Sequence, residues 1–219
     1  MLIIQTLLNI TVALILSLNR PVATKATPST NKVLAQATYS LSNRYSNSYV
    51  NDVFADNILL TLAYMSGKVK SVSEISWDKI KAPGTSTVTL KPGQTFAFHD
   101  AVADKYTNKV VATTNAHFDS TQGFKSDGWL VGDGVCHLAS FMYVVSKDAG
   151  LVSEAPTRHD FAQIPDVEKQ NGVSIYYSPD NKNSSTYQNL YITNNYNKTI
   201  AFVFTQKNSA LNIKVEQLN

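Results

Sequence analysis

The chain has 219 residues, of which 43% are hydrophobic and 16% are charged, and its formal net charge is +3 at pH 7. This composition is typical of a globular protein with one sizeable core. The basic residues are spread along the chain without blocks, which argues against nucleic acid as a partner. The abundant Tyr, Phe, Asn, Ser and Thr favour a strand-rich protein outside the cytoplasm.

The first 18 residues, MLIIQTLLNITVALILSL, contain no charged side chain. Their length lies between that of a signal-peptide apolar region and that of a spanning helix, so residues 1–18 are predicted to be a signal peptide or a membrane anchor. We therefore expect an exported or membrane-anchored, extracytoplasmic protein that meets the membrane through this segment. Residues 19–46 are rich in Thr, Ser, Asn, Ala and Pro and are predicted to be a linker, with one folded domain over 47–219.

Two segments have the periodicity of amphipathic helices. Residues 47–66 place apolar side chains on one face in steps of three and four, and Gly67 follows their end. Residues 135–149 carry a second apolar stripe, and Gly150 supplies the left-handed residue at which many helices stop. The sequence therefore predicts one helix early in the domain and one near its middle.

Most of the remaining chain is predicted to be extended. The segment TSTVTLKPGQTFAF, residues 85–98, has two alternating apolar runs joined by KPGQ, whose Pro and Gly suit a type II turn. After Gly150, four short apolar segments predict an antiparallel sheet, namely residues 173–177, 188–194, 200–206 and 211–218. The predicted fold class is α+β, with helices packed on a mainly antiparallel C-terminal sheet that follows the apolar N-terminal segment.

Cys136 is the only cysteine of the chain and falls in the first turn of the second predicted helix. A helix N-terminus offers unpaired amide groups and a positive dipole end, which help a thiol to ionise. A helix-borne Cys followed by a sheet with His and then Asn or Asp is the layout of papain-like and transglutaminase-like enzymes. In that hypothesis His159 is the general base, and Asn171 or Asp166 orients it. The competing interpretation is a buried packing thiol.

Four neighbours of Cys136 are candidate binding residues. Gly132 and Gly134 let a ligand or another backbone approach closely, and Trp129 lies in the glycine-spaced loop before the helix. His137 points about 100° away from Cys136 around the helix axis, so we expect it at the rim or surface.

Zinc chemistry is the alternative to nucleophilic catalysis. Cys136 and the histidines at 99, 117, 137 and 159 have ligand atoms that suit zinc. No pair of them has the close spacing of common metal ligands. The sequence therefore predicts neither a metal site nor a cofactor.

The stretch GDGVCHLASFMYVVSKDAGL resembles the signature of the VanW family, a glycine-rich loop that leads into a helix bearing a Cys. The stretches NILLTLAYMSG, LKPGQTFAFHDAV, RHDF and NGVSIYY resemble further family motifs in the same order, and the set spans residues 57 to about 205. Four positions depart from the pattern: Asp133 replaces a glycine, His137 a glutamine, Asn171 an aspartate and Gln94 a glutamate. Cys136 and the Arg-His motif are kept.

The resemblance implies a VanW-like domain over residues 47–219. That family is associated with the bacterial cell envelope and with some glycopeptide-resistance gene clusters. The implied partner is a cell-wall polymer, either peptidoglycan or a related glycan or peptide. One hypothesis is a Cys-dependent acyl-transfer or hydrolytic enzyme with Cys136 as nucleophile, His159 as base, Asn171 as orienter and backbone amides as oxyanion donors. The alternative is a non-catalytic binding module whose cleft lies near Trp129 and the Pro92-Gly93 turn.

Overall fold

The computed structural model describes residues 31–219. The predicted signal peptide or anchor, residues 1–18, lies outside the described residues. Among the helices of the described part, none combines the length and apolarity needed to cross a bilayer.

Helices and strands are interspersed along the described chain. The helices are α1 (Ser48–Met65), α2 (Trp77–Lys81), α3 (Val135–Asp148) and α4 (Lys182–Tyr187). The strands are β1 (Lys32–Ser40), β2 (Gly84–Leu90), β3 (Thr95–Ala97), β4 (Val110–Ala112), β5 (Val152–Glu154), β6 (Tyr191–Thr193), β7 (Ile200–Lys207) and β8 (Ala210–Gln217).

The strands form two four-stranded sheets. The first sheet has the order β1-β8-β7-β2 and is antiparallel throughout. The second has the order β4-β3-β6-β5, and β3 with β4 is its parallel pair. The fold is therefore α+β, as the sequence predicts.

Helices α1 and α3 confirm the two predicted helices and pack against each other. Asn47 caps α1, because its side-chain oxygen accepts a hydrogen bond from the amide of Val50 at 3.2 Å. Helix α3 also lies on β1 and β8, where Phe141 stacks on Tyr39 with ring centroids 3.9 Å apart. Helix α3 therefore lies between α1 and the first sheet.

The predicted linker over residues 19–46 is wrong for its second half. Residues Lys32–Ser40 form β1, which pairs with β8 from Lys32 opposite Gln217 to Ser40 opposite Ala210. Small and hydroxyl side chains give this edge strand a linker-like composition, although its inward positions 35, 37 and 39 alternate as a half-buried strand requires. The domain therefore begins well before residue 47.

Two details of the predicted strands also need correction. The KPGQ turn is present, with the Gln94 amide donating to the Lys91 carbonyl at 3.0 Å, but the strands that it joins belong to different sheets. Residues 173–177 join neither sheet, and their one bridge pairs Val173 with Arg158. Periodicity predicts an extended segment but does not determine which strand it pairs with.

Candidate functional site

The start of α3 is held against α1 by a very close backbone approach. Gly134 precedes the helix with φ +96, and a Cβ atom there would lie 2.4 Å from the carbonyl oxygen of Phe54. The side chain of Asn57 also donates to the carbonyl oxygens of Asp133 at 2.9 Å and Lys125 at 3.0 Å. Gly134 is therefore required by packing between two helices, and the glycine-rich loop is anchored rather than open.

Cys136 faces the segment that contains Ile175. The Ile175 amide lies 3.4 Å from the Cys136 sulfur, and the sulfur lies 3.7 Å from the Ile175 carbonyl oxygen. Burial raises the pKa of the Cys136 thiol to about 11, and the nearby Asp133 carboxyl acts in the same direction. Desolvation outweighs the hydrogen bond from the Ile175 backbone, which lowers the pKa, so the thiol is protonated at neutral pH.

His159 is buried in the loop after β5. Its Nδ1 lies 3.2 Å from the carbonyl oxygen of Ala162, and Phe161 packs on its ring with centroids 4.0 Å apart. Burial lowers the pKa of His159. The backbone amide of His159 donates to the Gly172 carbonyl at 3.1 Å, which fixes this loop beside the Asn171 turn.

The predicted orienting residues bind other partners. The Asn171 side-chain oxygen accepts a hydrogen bond from Lys147 Nζ at 3.0 Å, and Asp166 forms an ion pair with Arg44. Across residues 31–219 no hydrogen bond joins His159 to Cys136, Asn171 or Asp166. The structure therefore does not assemble the predicted triad.

The side chain that faces His159 is His137, not Cys136, with ring centroids 6.4 Å apart. The prediction of a rim position for His137 is wrong, because the residue is only 4% exposed and packs against Phe54 and Phe141. Its Nδ1 is buried without a hydrogen-bond partner among the described residues. Burial, followed by the charges of Arg44 and His159, lowers the pKa of His137 to about 3.

Arg44 lies near the His137 and His159 rings and was not predicted from the sequence. Its guanidinium pairs with Asp166, donates to the Pro165 carbonyl oxygen at 3.0 Å, and lies 5.0 Å from the ring centroid of Phe141. The side chain is fully buried. Arg44 lies in the segment predicted as linker, where composition gives no signal for a buried charge.

Trp129 lies at the tip of a short, ordered loop. Ser126 and Val131 pair across its base, and the Asp127 carboxylate accepts hydrogen bonds from the amides of Trp129 at 2.9 Å and Leu130 at 3.3 Å. Trp129 is 92% exposed and Leu130 is 62% exposed. The loop thus holds two large apolar side chains in water on a fixed backbone.

A cleft of about 550 Å³ opens between α1, the end of α2 and the base of this loop at Lys125 and Ser126. Its floor contains Asp56, whose buried carboxylate pairs with Lys81 Nζ at 2.8 Å and Lys125 Nζ at 2.6 Å. The cleft is lined by Tyr49, Asp52, Val53, Asp56, Lys81, Lys125 and Ser126. The sequence does not reveal this cleft, because no motif marks Asp56 as a buried charge within its predicted helix and the two lysine partners are remote in sequence.

A second polar cluster was also missed. His117 Nε2 lies 3.0 Å from Asp100, and the His117 ring stacks on Tyr177 with centroids 3.8 Å apart. The buried His99 lies nearby, with its Nε2 3.0 Å from the Gln188 carbonyl oxygen. Residues 31–219 contain no group of three or more His, Cys, Asp or Glu side chains arranged to hold a metal, so the zinc alternative has no ligand set there.

Alkylation of Cys136 is expected to be slow. With a thiol pKa near 11, about one molecule in a thousand carries the thiolate at pH 8, so iodoacetamide should react about 100-fold more slowly than with a free cysteine. His159→Ala should leave the rate unchanged, because no hydrogen bond links the two side chains in the described chain. A fast reaction with a plateau below pH 8 that disappears in His159→Ala would contradict this.

A comparison with protein families supports the sequence resemblance. The family model described as VanW like protein matches residues 79–216, which is more than half of the chain. No curated protein and no solved structure matches the chain. The layout shared with papain-like and transglutaminase-like enzymes receives no support from the contacts of Cys136, His159 and Asn171. On the family match, the chain belongs to the VanW-like family.

Proposed function

We propose that this VanW-like protein is a cell-envelope-associated, non-catalytic module that binds a wall polymer, either peptidoglycan or a related glycan or peptide. The observation that carries the proposal is Trp129, whose side chain is 92% exposed on a loop held by Asp127. Trp129, Leu130 and Val131 are consecutive exposed apolar residues, and a contiguous exposed apolar patch marks an interaction site. Trp is also among the residues enriched at binding hot spots.

The loop is well suited to binding because its backbone is already ordered. The two hydrogen bonds to Asp127 and the pairing of Ser126 with Val131 reduce the conformational entropy that a ligand must overcome. An indole ring also offers a flat apolar face to the C–H groups of a sugar ring. The cleft at the base of the loop is lined mainly by polar and charged side chains.

The extracytoplasmic location is part of the same proposal. It rests on the apolar residues 1–18, which have the composition of an export signal or anchor, and on the envelope association implied by the family resemblance. A wall-binding domain on such an anchor would be held next to its polymer. The tether would raise the effective concentration of the binding site at the wall.

Trp129→Ala is expected to weaken binding of the full chain to purified peptidoglycan sacculi by about 30-fold or more, since truncation of a central Trp typically costs about 2 kcal/mol or more. The fold should be unaffected, because an exposed substitution changes stability by about 0.5 kcal/mol or less. Co-sedimentation with sacculi over a range of protein concentrations measures the effect.

Tyr187→Ala is the matched control, since Tyr187 is also an exposed aromatic residue, at 65%, but lines a different cleft. It should bind sacculi like the wild type. Equal loss of binding in both variants would show nonspecific adhesion, and no loss in Trp129→Ala would refute the proposed surface.

Acyl transfer by Cys136 is the second candidate function. Its supporting observation is that the thiol lies in the first turn of α3, where its sulfur accepts a hydrogen bond from the Ile175 amide at 3.4 Å. Against it stand the raised pKa of the thiol and the separate partners of His159 and Asn171. The geometry therefore favours binding over catalysis.

A further inference from the structure

We infer that the cleft between α1 and the Trp129 loop recognises a carboxylate, so that the ligand is a peptide part of the wall polymer rather than neutral glycan alone. The inference rests on the proposed wall binding and names the chemical group that the cleft selects. It is carried by the arrangement of Lys81, Lys125 and Asp56.

The two ammonium groups converge on one carboxylate. Lys81 Nζ lies 2.8 Å from one oxygen of Asp56, and Lys125 Nζ lies 2.6 Å from the other. Asp56 is buried, whereas the side chains of Lys81 and Lys125 are 50% and 39% exposed. The trio thus carries one surplus positive charge, and it presents that charge on the solvent side.

The ring of Trp77 packs against both lysines. Its ring centroid lies 4.1 Å from Lys125 Nζ and 5.7 Å from Lys81 Nζ, within the range of cation–π attraction. An ammonium group has three N–H donors, and Asp56 accepts from each lysine at one oxygen. Donors therefore remain on both ammonium groups for a second carboxylate that enters the cleft.

The carboxylate of Asp52 opposes the binding of anions in the cleft. It lies one helical turn before Asp56, lines the same cleft and is exposed, so its charge opposes an incoming anion but is screened by water and salt. A small anion alone gains little from this balance. A ligand gains more when its carboxylate meets the lysines while its body contacts the aromatic ring of Tyr49, which lines the cleft and is 64% exposed.

A pair of ligands that differ in one group tests the inference. N-acetylmuramyl-L-alanyl-D-isoglutamine carries a carboxylate, and its carboxamide derivative does not. Isothermal titration of the full chain should show the acid binding about tenfold more tightly than the amide, because hydrogen bonds to a charged acceptor are the stronger kind. Trp129→Ala should weaken both ligands equally.

Charge variants separate recognition from folding. Lys81→Met and Lys125→Met each leave Asp56 with one partner and should reduce the preference for the acid about threefold. Asp56→Asn removes the competing internal carboxylate and should strengthen binding of the acid, whereas a purely structural Asp56 would lose affinity for both ligands. Thermal melts of each variant check that the fold is kept.

Failure of the inference differs from failure of the proposed function. Equal binding of acid and amide to the wild type would overturn carboxylate recognition, while sedimentation with sacculi would still support wall binding. Absence of binding to both ligands would overturn the inference as well. Absence of binding to sacculi would refute the proposed function itself.

Discussion

Lowering the pH from 7 to 4 is expected to reduce the free energy of unfolding by about 3 kcal/mol through His137 alone. The pKa of this side chain is about 3 in the folded protein, because burial and the neighbouring Arg44 disfavour its charged form. The unfolded chain takes up the proton at the ordinary histidine pKa of about 6.5. The contribution of His137 to the free energy of unfolding is therefore present above pH 6.5 and is lost as the pH falls towards 3.

Urea unfolding at a series of pH values measures this slope. His137→Gln should remove about 3 kcal/mol of the stability loss between pH 7 and pH 4, because Gln has no titrating group. Gln is also the residue of the family signature at this position. Burial also lowers the pKa of His99 and His159, so part of the acid sensitivity should remain in the variant. The exposed variant Lys79→Gln serves as the control. An unchanged slope in His137→Gln would contradict the burial of a neutral His137.

Gly134→Ala is expected to lower the free energy of unfolding by about 4 kcal/mol or more, among the largest effects of any single substitution. The added Cβ would lie 2.4 Å from the Phe54 carbonyl oxygen and 2.8 Å from the Phe54 Cα. These are backbone atoms in the middle of α1, so they cannot move aside without displacing the helix. The positive φ of +96 adds strain for an alanine.

Gly128→Ala isolates the contribution of the close approach. Gly128 has φ +108, but a Cβ there would meet no atom within 4 Å. Its substitution should cost about 1 to 2 kcal/mol from backbone strain alone. Thermal or urea unfolding of the two variants compares the costs. Similar destabilisation by both would show that α1 and α3 do not approach as closely as described.

Helices α1 and α3 could be predicted from the sequence because their periodicity is long and is closed by glycines. Strand β1 could not, because its short apolar residues lie among Lys, Gln, Thr and Ser at a sheet edge and follow a segment of linker-like composition. The partners of a strand depend on contacts remote in the chain, which is why the two strands beside the KPGQ turn were not assigned to separate sheets.

The candidate site could be predicted only in part. The sequence correctly located a glycine-dependent loop before α3 and a Trp in it, because both are local features. It did not predict that the helix directs His137, rather than Cys136, towards His159. A helix rotates side chains by about 100° per residue, so the burial of each depends on how α3 lies on its neighbours.

The Lys81, Lys125 and Asp56 trio lay beyond sequence reasoning for a related reason. Its members come from α2, the loop before α3 and α1, and none belongs to a recognisable motif. Tertiary packing brings the charges together, and Trp77 lies against both lysines there. Such a site is determined by tertiary structure, so it is visible only once the helices are placed.

The central claim is that the protein binds the wall without Cys136 chemistry, and one incubation tests it. Purified sacculi are mixed with the full chain or with Cys136→Ser, and both the bound protein and the soluble wall fragments are quantified, the fragments by mass spectrometry. We expect equal binding by the two proteins and no fragments from either. Fragments released by the wild type but not by Cys136→Ser would contradict the account and restore the nucleophile hypothesis.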